Sequence, residues 1–152
     1  MILLNINFIF AWNPNYYWKD PRIHNIGNHG LLGKVHAELA PLFTKGIDIL
    51  SYDKVNVRDK IINSFPKHKS VLDLACGVGL STPTNQYGID SSKEMIEKAN
   101  KLFSNKNFII ANAEDYIPEE NFDYTTCFFA FHEMPQKARK KIIENAKKYT
   151  NE

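Results

Sequence analysis

Three polar residues in this chain stand where strand-like runs end, each followed by small residues or caps. Asp73 lies two residues before the turn Ala75-Cys76-Gly77-Val78-Gly79. Asp90 closes the run from Gln86, with Ser91 and Ser92 behind it, and Asn112-Ala113 follow Asn107 to Ala111. Glycines at such a turn let the backbone bend sharply and approach a ligand with no Cβ in the way. A carboxylate inside a buried strand needs partners, so Asp73 calls for loop amides or a cationic ligand. Asp90 is placed to accept two hydrogen bonds from the vicinal hydroxyls of a ribose. The Asn112 amide and the backbone N–H beside it suit the edge of an adenine. Farther on, Phe131-His132-Glu133-Met134-Pro135 follows a fourth apolar run. His132 or Glu133 there serves as a general base or orients a substrate. The plainer alternative packs His132 at the strand end and sets Glu133 at a helix N-terminus.

The elements that must position these residues follow from periodicity. Leu32, Val35, Leu39, Leu42, Phe43, Ile47 and Leu50 recur at helical spacing, with Pro41 expected to kink or restart the helix. Asp53 is a plausible N-cap for a short second helix carrying Ile61, Ile62 and Phe65. After Pro66 strands and helices alternate. Val71 to Ala75, Gln86 to Asp90, Asn107 to Ala111 and Tyr124 to Phe131 read as strands. Met95, Ile96, Ala99, Leu102 and Phe103 mark an amphipathic helix capped by Ser91 or Ser92. A last helix starts at Pro135 with Ala138, Ile142, Ala146 and Tyr149 on one face. This alternation predicts an α/β fold with a mainly parallel sheet, whose ligands bind beyond the carboxyl ends of the strands. Residues 1–66 are expected to form a helical and aromatic N-terminal segment, a lid or sheet cover, joined to a core over 67–152 in one domain.

Val71-Leu72-Asp73-Leu74-Ala75-Cys76-Gly77-Val78-Gly79 resembles motif I of class I S-adenosylmethionine (SAM)-dependent methyltransferases, and Tyr87-Gly88-Ile89-Asp90 the acidic strand after it. Ala111-Asn112-Ala113-Glu114-Asp115 resembles the adenine-contacting stretch of ubiquinone/menaquinone-type C-methyltransferases, and Phe122-Asp123-Tyr124 through Phe128 their motif IV strand. Four motifs in order, over roughly Ser70 to Glu133, are specific for SAM binding. The resemblance implies a Rossmann-like sheet, SAM as cofactor and methyl transfer to a small-molecule acceptor. It implies a cofactor-binding set of Asp73, Ala75, Gly77, Gly79, Asp90, Ser91, Asn112, Ala113 and Phe128, with catalysis at His132 and Glu133. Ala75 replaces the first glycine of the usual loop, a change expected to preserve room for the ligand. Only Pro83 to Gln86 separate Thr82 from Tyr87, so the helix that normally follows motif I is almost absent. The family's seven-stranded sheet needs three more strands than are present, as in a C-terminally truncated member. A second reading is therefore a non-catalytic remnant that binds SAM or a partner.

Composition narrows the alternatives. A chain of 152 residues fits one domain without disulfide staples. Its formal charge of +2 gives no reason to expect nucleic acid. Lys137, Arg139, Lys140, Lys141, Lys147 and Lys148 read as a solvated basic helix face. Cys76 and Cys127, the two cysteines, read as reduced core thiols suited to a cytoplasmic protein. The apolar opening Met1 to Phe10 lacks a basic start and a small-residue cleavage site, and is too short to span a bilayer. No metal-ligand spacing stands out among the histidines. A dinucleotide dehydrogenase is the nearest rival, but Thr82 occupies the third glycine position of its G-x-G-x-x-G pattern. Trp12, Tyr16, Tyr17 and Trp18, with His24, Asn25, Asn28, His29 and His36, supply an aromatic lid over the substrate or fill the gap left by the missing helix. In the family's order the fourth strand is interior, so Tyr124 to Phe131 is expected to present an open edge. Ile2 to Phe10 would cover that edge, or a second copy would pair with it as a homodimer.

Overall fold

The computed structural model of the chain describes residues 27–52 and 55–151. The readings that fall on Ile2 to Phe10, Trp12, Tyr16, Tyr17, Trp18, His24, Asn25 and Asp53 lie outside the described residues. Four parallel strands, β1 (Val71–Leu74), β2 (Tyr87–Asp90), β3 (Asn107–Ile110) and β4 (Tyr124–Thr126), pair in the order β3-β2-β1-β4. With them come helices α1 (Gly30–Ser51), α2 (Val57–Ser64), α3 (Lys93–Leu102) and α4 (Gln136–Ala146). The fold is the Rossmann-like α/β arrangement expected from the alternating pattern.

Burial follows the alternation of side chains across β1. Leu72 and Leu74 join Ile89, Phe122, Ile142 of α4 and Tyr149 in one buried cluster. Val71 and Asp73 point to the opposite face. The steps β1 to β2 and β2 to β3 run the same way across the sheet, so their right-handed crossovers share a face. For the second step that crossover is α3, which starts where the Ser92 hydroxyl accepts from the Met95 N–H at 3.3 Å. Met95, Ile96 and Ala99 are its buried side.

For the first step there is no helix at all. Residues 75–86 cross directly over β2, and two glycines make the passage possible. A Cβ on Gly79 (φ 79°) would stand 2.4 Å from the Phe108 ring. One on Gly88 would lie 2.8 Å from both Cys76 Sγ and Thr82 Oγ1. A crossover this short works because the loop lies flat on the strand it is about to join. Asn85, at φ 61°, then turns the chain into β2, and its N–H donates to Asn105 O at 2.7 Å.

Three expectations are corrected here. α1 runs unbroken through Pro41, without a restart. Its buried residues are Gly33, Ala37 and Asp48, while Leu32, Leu42, Ile47 and Leu50 are exposed among the described residues. Small residues let α1 approach closely, so Ala37 packs on Val78 and Met95 where the long apolar stripe would not fit. α2 is capped by Asn56, whose side chain accepts from the Asp59 N–H at 3.0 Å. β4 ends at Thr126 instead of Phe131, and Phe129, with φ 55°, has a left-handed conformation that bars the strand from reaching Phe131. Just before β4, Phe122 donates to Tyr149 O at 2.8 Å and accepts from Asn151 N–H at 2.7 Å, in an isolated parallel bridge with Thr150.

The seating of the crossover predicts a specific sensitivity. Gly88→Ala forces a methyl group into Cys76 and Thr82, both buried, and is expected to destabilise the protein by about 1–3 kcal/mol. Denaturant unfolding of the variant checks this, and an unchanged midpoint would show that the loop does not press on β2.

Candidate functional site

Beyond the carboxyl ends of β1, β2 and β3 lies a cleft of about 230 Å³. The turn after β1 supplies one wall with Ala75, Cys76 and Gly77. Ala75 and Gly77 both have left-handed backbones, with φ of 53° and 55°. For Ala75 that conformation is not free: a residue bearing a Cβ loses about 1–2 kcal/mol there. The alanine keeps room for a ligand in the cleft, but at a conformational cost the usual glycine avoids. A Cβ on Gly77 would meet nothing within 4 Å, so its Cα side faces open space.

Asp90, at the end of β2, ties the walls together. Its Oδ2 accepts from the Gly77 N–H at 2.9 Å and its Oδ1 from the Ser92 N–H at 2.8 Å. One carboxylate thus fixes both the turn after β1 and the entry to α3. Ser91 lies beside it on the cleft. Asn112 and Ala113 form the wall beyond β3. Asn112 turns the chain there, its carbonyl accepting from Tyr116 N–H at 2.9 Å and its side chain from Glu114 N–H at 3.2 Å. The buried Asn145 of α4 donates from Nδ2 to Ala113 O at 3.2 Å and Tyr116 O at 2.7 Å, which holds this turn in place.

After β4 come Phe128 and Glu133, both on the cleft. Phe131–Glu133 forms a single 3-10 turn. It separates the two residues expected to share a role. Glu133 keeps its side chain 26% exposed, whereas that of His132 is 68% exposed and is not among the residues that line the cleft. His132 Nε2 lies 3.3 Å from Glu133 Oε1, which connects it to a residue of the cleft wall.

Asp73 and Gly79, expected in the cofactor-binding set, are not among the residues that line this cleft. Gly79 faces Phe108 and Ala99. Asp73 is wholly buried and finds its partners in hydroxyls, not in loop amides or a cation. Oδ2 accepts from Ser81 Oγ at 2.7 Å and Thr82 Oγ1 at 2.9 Å, and Oδ1 from Thr126 Oγ1 at 3.0 Å. Burial outweighs these three donors and pushes its carboxyl up to about 6. The same burial pushes the Cys76 thiol well up, and the Cys127 thiol up to about 12, so neither is a nucleophile near neutrality. Both are free thiols.

The helical N-terminal part supplies a further wall, with Asn28 and His36 named from the sequence and Thr44 and Arg58 not. Asn28, His36 and Thr44 line the cleft from the α1 side and Arg58 from α2. Arg58 is bonded to Asp48 of α1 and its guanidinium sits 4.4 Å over the Phe129 ring, which holds that ring in its left-handed position. Arg58 and Phe129 lie far apart in sequence, so no short motif announces their contact. Among the described residues no group of three His, Cys, Asp or Glu side chains is arranged to hold a metal, and no helix is long and apolar enough to cross a membrane.

A family model described as a methyltransferase domain matches residues 71–152. No curated protein matches the chain. Among solved structures it is similar to a TehB-like SAM-dependent methyltransferase from Corynebacterium glutamicum, with 18% identity and a TM-score of 0.61 over 76% of this chain and 67% of that one. It is also similar to a SAM-dependent methyltransferase from Clostridium acetobutylicum (22% identity, TM-score 0.58), over 74% of this chain and 54% of that one. Magnesium protoporphyrin IX methyltransferase from Synechocystis, solved with bound SAM, aligns at 15% identity and TM-score 0.54, over 77% and 71% of the two chains. The chain thus spans about half to two thirds or slightly more of these structures.

The state of Asp73 has a measurable signature. Its carboxyl is raised from the ordinary 3.8 to about 6 in the folded protein. The folded state therefore holds a proton that the unfolded chain has released. Its contribution to stability is fully present below about pH 4 and is lost as pH rises through about 6. Asp123 acts in the opposite sense at lower pH, since bonds from Lys69 and Ser70 hold it down at about 2. In Asp73→Asn the first titration disappears. The stability of wild type minus that of the variant should fall between pH 4 and 6 and be flat above 7, as read from denaturant midpoints. A difference that grows over that interval contradicts the buried, protonated state.

Proposed function

From the premise that this chain belongs to the SAM-dependent methyltransferase domain family, we propose that it binds SAM in the cleft at the strand ends and transfers its methyl group to a small-molecule acceptor. The observation that carries the reading is the Asp90 carboxylate on the cleft wall, bonded at once to the glycine turn and to the start of α3. Each carboxylate oxygen can accept more than one hydrogen bond, so the Gly77 and Ser92 N–H bonds are compatible with a sugar hydroxyl at the same group. The donor set suits a nucleoside cofactor. Asp90 accepts from ribose hydroxyls, Asn112 and the Ala113 backbone meet the adenine, and Ala75, Gly77 and Ser91 leave room for the methionine and ribose. The open space at Gly77 is where a Cβ would otherwise intrude.

When bound, SAM supplies an electrophilic methyl group on a sulfonium. The residues of the chain then act chiefly by positioning, which accounts for most of the acceleration in a direct transfer. Phe128 gives the acceptor side an apolar wall, and Glu133 orients the acceptor or takes its proton. His132, outside the cleft, steadies Glu133 through their contact of 3.3 Å. Phe128, Glu133 and Arg58 line the same cleft, and in this reading a small acceptor sits among them.

Isothermal titration tests the cofactor half of the reading. Wild type is expected to bind S-adenosylhomocysteine, and Asp90→Ala to weaken that binding by about 1.5–3 kcal/mol. No heat and no thermal shift at millimolar ligand would refute it. Glu133→Gln separates the two halves: affinity for S-adenosylhomocysteine should be unchanged, while turnover of an acceptor that must lose a proton falls on the order of 10²-fold.

A further inference from the structure

We infer that Asn28, which no motif marks, is a cofactor-binding residue whose side-chain oxygen accepts a hydrogen bond from the ribose that Asp90 holds; the inference rests on the SAM-binding reading above. Asn28 is only 6% exposed and lines the cleft, yet its Oδ1 has no hydrogen-bond partner. A buried amide oxygen is normally satisfied, because leaving it dry and unbonded forfeits its hydration with nothing in return. In a cleft wall, a ligand donor is the missing partner.

The residue is held in place for that task. Its carbonyl accepts from Ser92 Oγ at 2.5 Å, and the Gly30 N–H two residues on donates to Glu94 Oε1 at 2.7 Å. Gly33 lacks the Cβ that would stand 2.6 Å from the Asn28 carbonyl carbon, so the first turn of α1 closes down on it. These contacts hold the Asn28 backbone and the residues beside it, and none of them takes up the side-chain oxygen. They also say which part of the cofactor it meets. Ser92, which grips the Asn28 carbonyl through its hydroxyl, donates its own N–H to Asp90 Oδ1 at 2.8 Å. Asn28 and Asp90 therefore flank one residue, and the donors that belong beside Asp90 are the ribose hydroxyls. In the same reading Asn112, past β3, would meet the adenine.

The test pairs two ligands that share the ribose. S-adenosylhomocysteine carries the amino-acid tail, and 5′-methylthioadenosine does not. Asn28→Ala should weaken both by a similar factor, about five- to tenfold for the loss of one neutral hydrogen bond, with its melting temperature close to that of wild type. Loss confined to S-adenosylhomocysteine would overturn the assignment to ribose, and unchanged affinity for both would overturn the inference while leaving the cofactor reading intact. Wild type that binds neither ligand would bring down both. A measurement on unmutated protein guards against a variant that fails to fold: the assigned side-chain amide resonances of Asn28 should shift on adding either ligand, and resonances that stay put with both bound would refute the role.

Discussion

A carboxylate sealed from water at the centre of a parallel sheet has to be bonded, and Asp73 draws its three donors from two places. Ser81 and Thr82 come from the crossover after β1, and Thr126 from the end of β4. Those bonds fold residues 75–86 down onto the face that a helix would otherwise cover. Without a helix the crossover has no amphipathic stripe to bury, so polar groups must be satisfied singly, and one acceptor with several lone pairs does this economically. The same clamp fixes Ala75 and Gly77, because they lie between the strand that carries Asp73 and the hydroxyls that reach back to it. The cleft therefore inherits its shape from a residue that never touches its interior.

Asp90 performs the complementary task on the open side. It joins the glycine turn to α3 through two backbone N–H groups, so the residue placed to read a sugar also builds the site that presents it. Its removal would disturb both, which is why a binding loss at this position has to be read beside the melting curve. Asp73 is buried and partnered by hydroxyls, Asp90 by backbone amides at the cleft. Their identical chemistry is separated by environment alone.

What was legible in the sequence was what local periodicity and punctuation encode. The four strands, the Ser92 cap and the buried face of α4 follow from short-range pattern, and the order of acidic and small residues at strand ends placed most of the cleft wall. Contacts made across the chain were not legible. The apolar stripe of α1 suggested a buried face, yet close approach to Val78 and Met95 selected Gly33 and Ala37 instead. Tyr124 to Phe131 has strand composition throughout, but the Arg58 guanidinium over Phe129 accompanies a backbone reversal that propensity does not anticipate. The place of Asp73 in the motif is visible in the sequence, whereas its bonds to Ser81, Thr82 and the distant Thr126 are not.

Strain and unmet bonding also sort themselves by position. Left-handed backbones at Ala75 and Phe129, and the bare oxygen of Asn28, all border the same cleft. Each is unfavourable in the protein alone, and each persists because the surrounding structure over-determines it. Asp90 and the clamp of Asp73 hold Ala75, Arg58 holds Phe129, and Ser92 and Gly33 hold Asn28. A ligand that fills the cleft would then find its partners already oriented, so little of its binding energy is spent on ordering them. The stability given up along the cleft and the readiness of the site to bind are two consequences of one arrangement.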